Sequence, residues 1–211
     1  MPKQEVPLHT LEKYIPAGSI HTVLQFLTTY KIHLTITKQR QTLLGDYRHA
    51  HQGKAHRISV NGNLNPYSFL ITLLHEVAHL LAFEKYGGGI LPHGKEWKIV
   101  YGQLLQSFLQ KELVPADLRA EIEQMQHNPA ATSCAEDGLL RVLRRYDDPA
   151  KRTCFVEEVP AGYCFKIKDG RIFKRDSLLR KRYKCKEVST GSFFLFSPVH
   201  EVELVAVSDL S

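Results

Sequence analysis

Two histidines and a glutamate carry the first chemistry in this sequence. His75 and His79 stand four residues apart inside an apolar run, with Glu76 beside the first of them. On a helix, residues four apart project from one face, so both imidazoles can chelate a single metal ion. Glu76 is too close to His75 to complete the same ligand set easily, but it can reach a water on the metal. This His-Glu-x-x-His arrangement supplies two zinc ligands and a general base. A catalytic zinc site has three protein ligands and one open position, so a third ligand must follow. Where a glycine and a third histidine would complete one known pattern, the chain has Ala82 and Lys85. Glu96 is an obvious candidate. His93 is the better one, because Gly87, Gly88, Gly89 and Pro92 can reverse the chain before it and a second helix begins near Lys95. A histidine at that corner can point back at the first helix.

The element that must position the pair is written plainly. Asn65 can accept from the free N–H groups of a first helical turn. Pro66 follows at the first helical position, where its missing N–H costs nothing. Gly87 to Gly89 end the helix. Between these signals nearly every residue is apolar, which predicts a helix buried on most sides. The polar residues of its body, Ser68, Thr72, His75, Glu76 and His79, fall in a stripe about 100° wide. Two imidazoles and a carboxylate are costly to bury without partners, and a bound cation would supply one.

The run His-Glu-Val-Ala-His, a gap of 13 residues, and then His-Gly-Lys-Glu-Trp from His93 to Trp97 resembles the SprT-like zinc metalloproteases, the group that includes Spartan. Members place a third histidine in a His-Gly-x-x-aromatic motif after a helix break, and the strand-like Ile58 to Asn61 before the helix also looks like the family. The resemblance covers about residues 15 to 110. It implies an α+β, zincin-like fold with a small antiparallel sheet, and one catalytic Zn²⁺ held by His75, His79 and His93, with Glu76 as base. By analogy with better-known relatives, it also suggests proteolysis of DNA-bound or DNA-crosslinked proteins. Two other classes stand beside it: a zinc hydrolase of a non-peptide substrate, and a zinc-containing nucleic-acid-binding protein without protease activity. The intact Glu76 speaks against a silent site.

At 211 residues the chain can hold one substantial core plus a small module. It has no run of 18 apolar residues and no charged-then-apolar start, so cytoplasmic residence is the default expectation. Ser19 can cap a helix from Ile20 to about Tyr30. Strands are expected at Lys31–Lys38, Leu43–Tyr47 and His56–Val60, feeding the metal helix. The last of these would pair with an extended substrate. His49, His51 and His56 read as exposed strand or turn residues. Helices follow from Lys95 to about Leu109 and from Pro115 to about His127. Residues 1–128 would form the protease domain and 129–150 a linker with a short helix, opened by a capping box of Ser133 and Glu136.

Residues 151–211 read as a small basic β module, with a hairpin at Asp169-Gly170 and strands at Tyr183–Val188, Phe193–Phe196 and Glu201–Val205. Lys151 to Val188 holds 12 Lys and Arg against 5 Asp and Glu, a net +7 against +6 for the chain. Such a patch is a footprint for DNA or another polyanion. Its candidate contacts are Lys166, Lys168, Arg171, Lys174, Arg175, Arg180, Lys181 and Arg182. The relatives' zinc ribbon uses Cys-x-x-Cys pairs. Cys134, Cys154, Cys164 and Cys185 are spaced by 20, 10 and 21, so they read as structural thiols.

Overall fold

The computed structural model of the chain describes residues 8–40, 42–127, 129–130, 134 and 136–205. Two compact units divide at Asp147/Asp148. The first contains α1 (Ile20–Thr29), β1 (His33–Thr37), β2 (Gly45–Arg48), β3 (Arg57–Asn61), α2 (Pro66–Tyr86), α3 (Lys95–Gln110), α4 (Ala116–Met125) and α5 (Asp137–Leu143). Helices and sheet together make it α+β.

The expected boundaries of α2 match the structure. Asn65 Oδ1 accepts from Ser68 N at 2.9 Å, and Gly87, at φ 75°, closes the helix with its N–H on the Phe83 carbonyl. Asn65 has a second task that its position does not announce. Its Nδ2 donates to the Leu143 carbonyl and to Asp147 Oδ1, tying the start of α2 to the end of α5. Among the described residues α2 alone is long and apolar enough to cross a membrane, but 72% of its apolar window is buried. It is the core helix, packed against α3, β2 and β3, and Phe69, Ala78 and Leu80 are fully inaccessible.

Four expectations need correction. The sheet is mixed rather than antiparallel: its order is β1-β3-β2, with β1 parallel to β3 and β2 antiparallel to β3. The chain reverses twice between β1 and β3, so these two run the same way, and β3 inserts between its predecessors. With both edges of β3 occupied, it cannot pair with a substrate; the outer strands are β1 and β2, and β2 is the one that lines the cleft beside α2. Ser19 does not cap α1: its backbone is already helical, and its Oγ donates to the Pro16 carbonyl. The short helix expected in a linker, α5, instead buries Leu139, Val142 and Leu143 in the first unit's core. Ser133 of the expected capping box lies outside the described residues, and Glu136 Oε1 accepts from Ala130 N.

The second unit is a six-stranded antiparallel sheet ordered β4-β9-β5-β6-β7-β8. Its strands are β4 (Thr153–Phe155), β5 (Cys164–Lys166), β6 (Ile172–Leu179), β7 (Arg182–Glu187), β8 (Phe193–Phe196) and β9 (Glu201–Leu204). The β5–β6 hairpin turns where Asp169-Gly170 predicted it, and Phe165 faces Phe173 across it in the core. All four cysteines are free thiols. Cys134 belongs to the first unit's core and Cys185 to the second's.

Candidate metal centre

α2 carries His75 and His79 one turn apart, with ring centroids 5.0 Å from each other. The glycines after Gly87 release the chain, and a turn closed by Gly94 N–H on the Leu91 carbonyl brings His93 back over them. His93 Nε2 then lies 3.1 Å from His75 Nε2 and 3.0 Å from His79 Nε2. Ligand atoms of all three fall within 4.8 Å of one another, the one such group among the described residues. Glu96, the other candidate, sits in the first turn of α3 outside that group.

The trio fits a metal ion. Burial, reinforced by the neighbouring rings, pushes His75 down to about 3 and His79 down to about 4, and burial lowers His93 as well. Neutral imidazoles present lone pairs rather than protons. Nitrogens bound about 2.0–2.1 Å from one tetrahedral ion stand roughly 3.3 Å apart, close to the separations seen. His75 Nδ1 is buried with no hydrogen-bond partner among the described residues. Trp97, on α3, backs the cluster: its ring centroid is 4.7, 5.2 and 4.8 Å from those of His75, His79 and His93.

Glu76 is 5% exposed. Its carboxyl is pushed up to about 8, first by burial and then by Asp46, with Arg40 acting the other way. The space it occupies exists because β2 offers a glycine there. A Cβ on Gly45 would stand 2.5 Å from Glu76 Oε1 and 2.9 Å from Thr72 Cγ2. Arg40 holds that strand in place through bonds to Asn61 Oδ1, Ser59 Oγ and the Leu44 carbonyl.

Side chains alternate along a strand, so Tyr47 faces α2 as Gly45 does, one step further on. Its ring lies parallel to that of His79 at 6.4 Å. The Tyr47 hydroxyl donates to His56 Nδ1 at 2.9 Å, and His56 Nε2 lies 3.3 Å from Glu84 Oε1. His56 is therefore buried and partnered, contrary to the expectation of an exposed residue; His49 and His51 are exposed. Together α2, β2 and the glycine turn enclose a cleft of about 520 Å³ that reaches His75, Glu76, His79 and His93. Sequence reasoning missed Arg40, Gly45, Asp46 and Tyr47, none of which carries a local motif.

Three of the candidate basic residues of the second unit already have partners. Lys166 pairs with Glu203, Arg171 with Asp169 and Glu187, and Arg175 donates to the Val159 carbonyl with its guanidinium over Tyr183. Lys168, Lys174, Arg180, Lys181 and Arg182 are exposed. The net +7 belongs to residues 151–188 alone. Residues 148–211 hold 12 Lys and Arg against 9 Asp and Glu, a net +3, and the first unit carries the remaining +3 of the chain's +6.

The sequence model of the SprT-like family matches residues 19–119. Protein SprT of Pseudomonas syringae pv. tomato is 59% identical over 29 residues, 14% of this chain and 18% of that protein. Protein SprT of Pseudomonas savastanoi pv. phaseolicola is 55% identical over 29 residues, with the same coverage. The chain thus matches under a fifth of the length of these relatives. No solved structure matches it.

Proposed function

Residues 19–119 carry a SprT-like domain, and from that premise we propose that the protein is a zinc-dependent metallopeptidase with a zincin-like active site. His75, His79 and His93 would hold the ion. Zinc there supplies Lewis acidity, bringing the attacking water's pKa toward about 7 and polarising the scissile carbonyl. Glu76, walled by Gly45 and Thr72, would be held ionised by the neighbouring cation, and its carboxylate oxygen would take a proton from that water and deliver it to the leaving amine. The open edge of β2 runs along the cleft, so an extended peptide can pair with it and lay its backbone past Glu76. The observation that carries this reading is the meeting of three neutral histidine nitrogens beside a buried carboxylate in a peptide-sized cleft.

Within the same proposal the substrates are proteins on DNA. Lys168, Lys174 and the Arg180–Arg182 turn offer cations for the phosphates, and the setting is a reducing cytoplasm that keeps the four thiols free. The test begins with metal content: purified protein should hold one zinc by elemental analysis. Glu76→Gln should keep that zinc while peptide hydrolysis falls at least about a hundredfold. Zinc-free wild type, or equal turnover by the variant, would overturn the reading. Cleavage of DNA-bound protein with and without DNA then tests the substrate class, and identical rates would remove DNA from it.

A further inference from the structure

The second unit leaves one strand edge and one sheet face open together. β8 ends the sheet order. Register places Phe193 opposite Lys186, Leu195 opposite Lys184, and Lys186 opposite Lys174. Directly opposed residues share a face, so these five lie on one side while Phe173 and Cys185 are buried on the other. Phe193 and Leu195 are each 54% exposed. Lys184 Nζ lies 3.9 Å from the Phe193 ring centroid. Lys174 and Lys186 confront each other with no carboxylate paired to either among the described residues, an arrangement that costs stability.

The backbone at this edge is open at two defined residues. Glu187 donates its N–H to the Ser192 carbonyl and accepts from Gly191 N–H, so it faces β8. Alternate residues of an antiparallel strand turn the same way. Cys185 and Tyr183 therefore bond to Phe194 and Phe196. Phe193 and Leu195 turn their N–H and C=O groups outward. Proline, inward charges and bulges blunt natural edges, and Phe193–Phe196 has none of them.

We propose that β8 takes up an extended segment of a partner protein as a seventh strand, and that this segment alternates acidic with apolar residues. Its backbone would pair with Phe193 and Leu195. Acidic side chains on the lysine face would lay their aliphatic stems over those two residues and reach Lys184 and Lys186, two strand spacings or about 10 Å away. Apolar side chains on the other face would cover Phe194, which is 38% exposed. Nucleic acid satisfies the lysines but not the outward N–H and C=O groups. A second β8 satisfies the backbone but brings a second set of lysines against the first.

The test uses the full-length chain carrying Glu76→Gln, so that the probe is not cleaved. A labelled peptide of alternating Glu and Val should bind, by fluorescence anisotropy, at least about tenfold tighter than a peptide with the same residues in two blocks. N-methylation along one edge of the alternating peptide should cost a similar factor without touching the protein. Leu195→Pro, which removes only an outward N–H, should weaken binding about tenfold, as should Lys184→Glu combined with Lys186→Glu. Equal affinity for the block and alternating peptides would overturn the proposal. So would indifference to N-methylation, tighter binding of oligo(dT) lost in the lysine variant, or a concentration-dependent dimer abolished by Leu195→Pro.

Discussion

The two walls of the cleft are built by different rules. The helical wall places His75, Glu76 and His79 within five consecutive residues, and their chemistry follows from the helical repeat. The strand wall contributes Gly45, Asp46 and Tyr47, which hold no metal. What they supply is shape and field: an absent side chain that makes room for Glu76, a carboxylate that raises its proton affinity, and a ring parallel to His79. In the proposed enzyme, ligation and positioning would thus be divided between elements about thirty residues apart in the chain. Substitutions on the first wall should therefore remove the metal, and substitutions on the second should spare it.

The largest expected effect is on the helical wall. His79→Ala removes one of three converging nitrogens, and the zinc proposed for this site should be lost almost entirely, with hydrolysis falling to background. Elemental analysis after dialysis against a weak chelator reads the first, and a peptide assay the second. A variant that kept full zinc occupancy would erase the division, because it would mean that other groups hold the ion.

Gly45→Ala tests the strand wall at the next scale. The new Cβ would meet both Glu76 and Thr72, and Thr72 is fully buried on the core helix, so the Glu76 carboxylate must move. Misplacement of a catalytic group by about an ångström costs on the order of a hundredfold. kcat should fall by about that factor while zinc content stays whole. Unchanged kcat would show that the strand does not set the position of Glu76.

The same division explains what could be read in advance. α2 was legible from end to end because its caps, its apolar body and its polar stripe are all local patterns, and His93 was legible because glycines and proline announce a chain reversal. The hairpin at Asp169-Gly170 was legible for the same reason. What depended on contact was not. The sheet order follows from where β3 inserts, and no residue of β3 encodes that. His56 looked like a surface histidine because Tyr47 and Glu84, its partners, come from other elements. α5 looked like part of a linker because the carbonyl that Asn65 caps, at Leu143, is 78 residues away. The charge of the second unit was misread because β9, with Glu201 and Glu203, comes last in sequence but lies between β4 and β5 in the sheet.

Tyr47→Phe gives the smallest effect and the sharpest version of the contrast. It keeps the ring beside His79 and removes only the hydroxyl, so the wall keeps its shape and loses one bond. His56 Nδ1 retains the Ala50 N–H as a donor at 3.3 Å, and its Nε2 still faces Glu84, so the imidazole stays satisfied. Removing one such hydroxyl bond should lower stability by about 1 kcal/mol, read as a small drop in thermal midpoint. Zinc affinity should be unchanged and kcat within about threefold, because the hydroxyl touches neither the three histidines nor Glu76. The informative failure is a marked loss of zinc. That would mean the chain of Tyr47, His56 and Glu84 holds the His79 ring in its binding orientation, as outer partners of metal ligands do. The strand wall would then share in ligation itself, and the two walls would differ in degree rather than in kind.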